Sequence, residues 1–438
     1  MTQETSYHLR VFQDRSVLLV AEDREETFAE GPASAEAQTR QRKVAARLDA
    51  GFLTRRVEIA CRGETAADAD LLTDDARNQI NRIVEAVTSE VGRAIVGLTV
   101  LQLCIKCIAP EQSIRLHKSG RKQSDFSWRE GISMRGLDKR YITTTLRQYG
   151  LLKLNADGFM MTRSLAENYP YSRVYKAAIR GNRLAWLEIV ESLESGSLDP
   201  SAALDYLLSR LVAAGEKFKE LSERALRATE EAKNGSRFRR IGDALALINR
   251  HIFESSNPPR LMEVALHSFF QALIALGYLE SYELKPLSQM RSANKKHGNI
   301  GDVELLQDGE IAQAWDAKFG KTYLRDELEE LDDKLNERTQ VVQAGFVLSS
   351  PADFRPEIRA RIEELEEKWS IRLSVRTLSE WIQDRLAEAG VEANEECVAN
   401  EWVRAYVESL TLKRPDEAPI DEPTTAWVES FLSCIETQ

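Results

Sequence analysis

Asn299-Ile-Gly-Asp-Val-Glu-Leu-Leu-Gln-Asp-Gly-Glu-Ile-Ala-Gln-Ala-Trp-Asp-Ala-Lys-Phe-Gly320 is the stretch around which the rest of the 438-residue chain takes its meaning. Val303 to Gln307 and Glu310 to Phe319 are apolar-rich runs of strand length. Asp308-Gly309 between them is a two-residue turn pair, so an antiparallel hairpin is predicted. Side chains two apart on a strand share a face, which sets Asp316 beside Lys318. Asp302 opens the first strand and therefore lies opposite the end of the second. Two carboxylates and one ammonium converge on one end of the hairpin. Such a set suits metal-assisted phosphodiester hydrolysis. Asp302 and Asp316, with the backbone carbonyl of Ala317, make a hard oxygen site for Mg²⁺, and Lys318 can orient a water and offset negative charge.

The flanking sequence supplies the layers around that hairpin. Pro259 to Gly277 is an amphipathic helix ending in glycine, and Thr322 to Glu337 is a charged helix. Val341 to Leu348 reads as a buried strand, Pro356 to Trp369 as a helix with proline in its first turn, Ile371 to Val375 as a strand and Ser379 to Leu386 as a helix. This α-β-β-α-β, then α-β-α order around Asp302 and Asp316-x-Lys318 resembles the PD-(D/E)xK nuclease superfamily, the restriction-endonuclease-like fold, over residues 256–390. The resemblance implies that Asp302 and Asp316 bind the metal and that Lys318 supports the nucleophilic water. It also implies that Glu263, on the preceding helix, completes the catalytic site. Two departures stand out: Gly301 occupies the place of the eponymous proline, and Asp316 replaces the commoner glutamate. Lys321 is a candidate phosphate contact, and His297 lies in a loop that could face DNA.

Charge is distributed unevenly along the chain. The whole carries 59 Lys+Arg against 70 Asp+Glu, a net charge of −11. Between Arg115 and Arg183, however, 15 basic residues meet 5 acidic ones, a local charge of +10 that leaves −21 for the remainder. A basic island of this kind is the electrostatic footprint expected for a phosphate backbone. Within it, Asp138 is a predicted N-cap for a helix from Lys139 to Tyr149, closed by Gly150. Ile142, Leu146 and Tyr149 share one face; Arg140, Thr143, Thr144 and Arg147 share the other. Two short strands follow, Leu151–Leu154 and Phe159–Thr162, around an Asn155-Ala-Asp-Gly158 turn. Helix and hairpin together resemble the recognition helix and wing of winged helix-turn-helix proteins, which implies that Lys139, Arg140, Thr143, Thr144, Arg147 and Lys153 contact double-stranded DNA.

The expected architecture is multidomain and mainly α with α/β. It comprises a β-rich module at 1–62, with Thr54–Ala60 among its strands, and a helical, winged-helix-like module at 63–180. A helical connector at 181–255 leads to the nuclease core at 256–390 and an acidic helical extension at 391–438. With 43% hydrophobic residues each part can bury a core. No run suits a membrane span, the start lacks a secretory signal, and five scattered cysteines make no disulfide framework, so a soluble, cytoplasmic protein is expected. Cys104-x-x-Cys107 lies in an apolar run and reads as a pair of core thiols. The whole most resembles a type II restriction endonuclease, a homodimer working with Mg²⁺ beside a DNA methyltransferase. The alternatives are a structure- or damage-directed nuclease and a winged-helix regulator with an inert nuclease-like domain.

Overall fold

The computed structural model describes residues 8–21, 24–64, 71–86, 90–118, 127–152, 171, 174, 182–287, 299–336, 340–391, 394–411 and 423–437. It is mainly helical with two sheets, and divides into two compact units, Met1–Lys217 and Phe218–Gln438. No helix among the described residues is long and apolar enough to cross a membrane.

The first unit opens with three antiparallel strands, β1 (Leu9–Val11), β2 (Arg15–Ala21) and β3 (Arg24–Ala29). Among the described residues of 1–62, strand structure ends there. Helices α1 (Ala35–Asp49) and α2 (Phe52–Cys61) follow, so the predicted strand at Thr54–Ala60 is helical. Leu53 and Val57 both bury, an i, i+4 pair on one helix face, and seven residues of near-alternation are too few to separate the two periods. Helices α3 (Asp74–Glu85), α4 (Glu90–Ile108), α7 (Arg183–Ser195) and the start of α8 (Pro200–Asn234) share one core with α1 and α2. Thr73 caps α3, accepting from Ala76 N at 3.2 Å. Cys104 is fully buried in that core, where desolvation pushes its thiol well above the ordinary range; burial takes Cys107 up to about 12.

Between α4 and α7 lies the basic island. The helix there starts before the predicted cap: α5 (Met134–Leu137) runs through a π-turn, Asp138–Ile142, into α6 (Thr143–Gln148). Asp138 is therefore inside the helix and fully buried, where it accepts a hydrogen bond from Thr143 Oγ1 at 3.1 Å. Gly150 closes the segment at φ +65°. The hairpin proposed as a wing, from residue 153 onward, lies outside the described residues.

The second unit is built on a five-stranded sheet of order β4-β5-β6-β7-β8. These strands are Glu283–Leu284, Val303–Gln307, Glu310–Lys318, Gln343–Leu348 and Arg372–Thr377. The first two pairings are antiparallel and the last two parallel. The Asp308-Gly309 turn forms as predicted, both residues at positive φ (54° and 83°), the backbone an Asp-Gly hairpin turn demands. The two faces of β6 go to different cores. Trp315 and Ala317 lie in the core shared with α9 (Ile241–Glu254), α10 (Pro258–Ala275) and α13 (Leu378–Glu388), whereas Ala314 belongs to the core shared with α11 (Arg325–Leu335) and α12 (Pro356–Trp369).

The predicted acidic extension is part of this core. Helix α14 (Glu395–Leu410) packs along α10, burying Trp402, whose Nε1 donates to Ala265 O at 3.0 Å; α15 (Thr424–Glu436) buries Trp427 and Phe431. The acidic side chains that suggested a solvated appendage lie on the outer faces of amphipathic helices.

Candidate active site

Asp302 is fixed to β6 at both its ends. Its backbone N–H donates to Trp315 O at 2.9 Å, and its Oδ2 accepts from Ala317 N at 3.0 Å. Strand β5 begins only at Val303, so past Trp315 the edge of β6 would carry an unpaired N–H; the Asp302 side chain takes the place of the missing strand. In an extended strand a residue's N–H and C=O point to the same side, so the Ala317 carbonyl opens toward Asp302 as well. Gly301 is required here. A Cβ at that position would lie 2.7–2.9 Å from the backbone N, O and C of Trp315, which excludes proline unless the strand moves. Glycine at position 301 thus follows from how closely this loop approaches β6.

The loop is anchored by residues that the sequence reading did not single out. Glu304, 2% exposed, accepts from Ile300 N (2.5 Å) and Gly301 N (3.2 Å) through Oε1, and its Oε2 pairs with Lys285 Nζ at 2.6 Å. Lys285 also donates to Asn299 Oδ1 at 2.8 Å. From the other side Lys334 Nζ donates to Ile300 O at 3.1 Å and pairs with Glu330 at 2.9 Å. The one available sequence signal was a glutamate inside an apolar strand run, Val303-Glu-Leu-Leu306.

Asp316 and Lys318 share a face as expected, and Lys318 Nζ lies 2.9 Å from Asp316 Oδ2. Among the described residues the other oxygen, Asp316 Oδ1, is buried without a hydrogen-bond donor. Burial first, and then the neighbouring Asp302 carboxylate, push the Asp316 carboxyl up to about 7, while Lys318 and Lys334 pull it down. Burial also pulls the Lys318 ammonium down, but Asp316, Asp302 and Glu327 outweigh it and raise its pKa, so the lysine stays charged. Two carboxylates held together in a poorly solvated pocket repel one another, and one buried oxygen lacks a donor. A hard divalent cation fits that donor set. Mg²⁺ characteristically uses one or two carboxylates and keeps several waters.

Of the remaining predicted residues, Glu263 on α10 is paired with Arg260 of the preceding turn. Lys321 is paired with the buried Glu327. His297 lies outside the described residues. In the first unit Lys139, Arg140, Thr144 and Arg147 are exposed, but Thr143 is only 2% exposed. Thr143 closes the π-turn, its N–H bonding back to Asp138 O five residues away, and it alone departs from the predicted faces: Ile142 and Leu146 are buried and Thr144 and Arg147 exposed, as expected. Lys153 lies outside the described residues. Arg115, counted in the basic island, is buried, with its two terminal nitrogens held by Glu191 and by Tyr171 O at 2.5 Å. No family model matches the chain, and no curated protein is significantly similar to it.

Proposed function

We propose that this chain is a metal-dependent DNA nuclease that hydrolyses phosphodiester bonds at Asp302, Asp316 and Lys318. The observation that carries the reading is the aspartate pair, Asp316 buried with a donorless oxygen and with Lys318 at 2.9 Å, at the ends of a hairpin whose loop is anchored on both sides. Mg²⁺ held by Asp302, Asp316 and the Ala317 carbonyl would neutralise phosphoryl charge and acidify the attacking water. Lys318, kept charged by its acidic neighbours, directs that water and offsets the charge that grows on the phosphoryl oxygens. Glu304, Lys285 and Lys334 hold the 299–302 loop so that Asp302 meets the end of β6 without reorganising.

The exposed cationic side chains Lys139, Arg140 and Arg147 support duplex DNA as the bound form. Site-specific cleavage by a homodimer, paired with a methyltransferase that protects the host's own sites, is the finer form of the proposal. Incubating unmethylated plasmid with the protein, with Mg²⁺ or with chelator, tests both levels. Mg²⁺-dependent cutting into discrete fragments is expected. A smear or a preference for branched DNA would favour the structure-directed alternative, and intact plasmid with stable DNA binding would favour the regulator.

A further inference from the structure

Four aromatic rings stand exposed among the described residues, Phe12, Phe253, Tyr323 and Phe354, and the three belonging to the second unit all gather around the carboxyl end of β6. Tyr323 (37% exposed) lies on the loop that leaves β6 five residues beyond the catalytic lysine. Phe354 (38%) lies on the loop that leaves the neighbouring parallel strand β7. The two loops run side by side, joined by Ser349 N to Lys318 O (3.2 Å), Gly320 N to Ser349 Oγ (2.9 Å) and Asp353 N to Thr322 O (2.8 Å). Each ring is paired with a guanidinium: Arg355 lies 4.9 Å from the Tyr323 ring centroid and Arg359 lies 5.3 Å from that of Phe354. Phe253 (59%) packs at 5.1 Å on Phe319, the residue directly after Lys318.

Single exposed aromatics are ordinary, but this grouping at the carboxyl ends of adjacent parallel strands, where α/β folds bind ligands, is selective. We infer that Tyr323 and Phe354, with Arg355 and Arg359, form a stacking platform for unpaired bases of the DNA strand being cut. The inference rests on the nuclease reading for its position relative to the scissile bond. Rings offer π-faces that any base can stack on, and guanidiniums that already lie over rings can meet the adjoining phosphates or extend the stack. A fully paired duplex offers no base faces to such a platform; a single strand or a bubble does. Asp353 holds Arg355 Nε at 2.8 Å and Glu357 lies near the Tyr323 hydroxyl, so the rings, rather than net charge, supply the selectivity.

The test is fluorescence anisotropy in chelator, where nothing is cut, using the full chain with three probes: a single-stranded oligonucleotide, the paired duplex and the same duplex with a three-nucleotide bubble. Tyr323→Ala and Phe354→Ala should each weaken single-strand and bubble binding by about 5- to 150-fold, the range for losing one base–aromatic stack, and leave duplex binding unchanged. Tyr323→Phe, which keeps the ring, should retain binding. Single-strand affinity within twofold of wild type in the double alanine variant, or equal losses on all three probes, would overturn the platform. If plasmid is cut in Mg²⁺ while the variants bind normally, the platform fails and the nuclease reading stands. Ring-dependent binding without any cutting would mean the reverse.

Discussion

Replacing Gly301 by alanine tests how the site is built. The added Cβ meets three backbone atoms of Trp315 at 2.7–2.9 Å, and none of them is the end of a flexible side chain. Ordinary contact needs about 0.6 Å more, so the 299–302 loop must lift away from β6. In lifting, it strains the bonds from Asp302 N to Trp315 O and from Ala317 N to Asp302 Oδ2, 2.9 and 3.0 Å in the wild type. Overpacking of this kind costs about 1–3 kcal/mol. For a unit of this size that corresponds to a fall in Tm of about 2–12 °C. Asp302, the proposed metal ligand, moves by a comparable fraction of an ångström, and misplacement on the order of 1 Å costs ~100-fold in rate, so a ~10- to 100-fold loss of the proposed cleavage is expected beyond any loss of folded protein. Gly309→Ala is the control. It strains a positive-φ turn residue but meets nothing within 4 Å, and it should cost about 1 kcal/mol with cleavage unchanged. Thermal melts and plasmid nicking rates, measured side by side, decide the matter. A Gly301→Ala protein as stable and active as wild type would refute the reasoning.

Glu304→Ala leaves Ile300 N and Gly301 N without this acceptor and Lys285 with only Asn299, and should destabilise the second unit by ~2–4 kcal/mol, measured by urea titration; a loss under ~0.5 kcal/mol would sink the anchoring role. His251 is fully buried, with Nε2–H donating to Trp427 O and Nδ1 accepting from Tyr406 Oη, each at 2.8 Å, and burial lowers its pKa from 6.5 to about 4. Its neutral form belongs to the folded state, so its contribution is present above pH 6.5 and is lost as pH falls toward 4. The stability advantage of wild type over His251→Asn should therefore shrink by up to ~3 kcal/mol between pH 7 and pH 4; a gap independent of pH would contradict the assignment. In native protein a thiol reagent at pH 8 should label the exposed Cys397 and Cys61 and spare Cys104 and Cys107, read by mass spectrometry, and rapid labelling of Cys107 would show that the α4 core is open.

Much of the second unit was legible because its signals are local. Asp308-Gly309 has one comfortable backbone solution, and the period-2 spacing of Asp316 and Lys318 fixes their shared face whatever surrounds them. The carboxylate opposite them followed from the hairpin alone. What stayed hidden depends on three-dimensional neighbours. Glu304 reads as a solvent-facing strand residue until the 299–302 loop folds over it, and Lys334 reads as one more charge on an acidic helix. Thr143 is buried where a single π-turn, invisible in composition, ends and its side chain bonds back to the buried Asp138. The 54–60 segment is too short for periodicity to decide, and α14 and α15 looked like an appendage because their acidic outer faces outnumber the tryptophans that tie them into the core.

Phosphodiester hydrolysis by Asp302 and Lys318 is tested by rates of supercoiled-plasmid nicking in Mg²⁺ for wild type, Asp302→Asn and Lys318→Ala, with melting curves confirming that all three are folded. The account predicts Mg²⁺-dependent nicking by wild type and a loss of at least ~100-fold in each variant, with DNA binding in chelator retained. Folded variants that nick at the wild-type rate would contradict it.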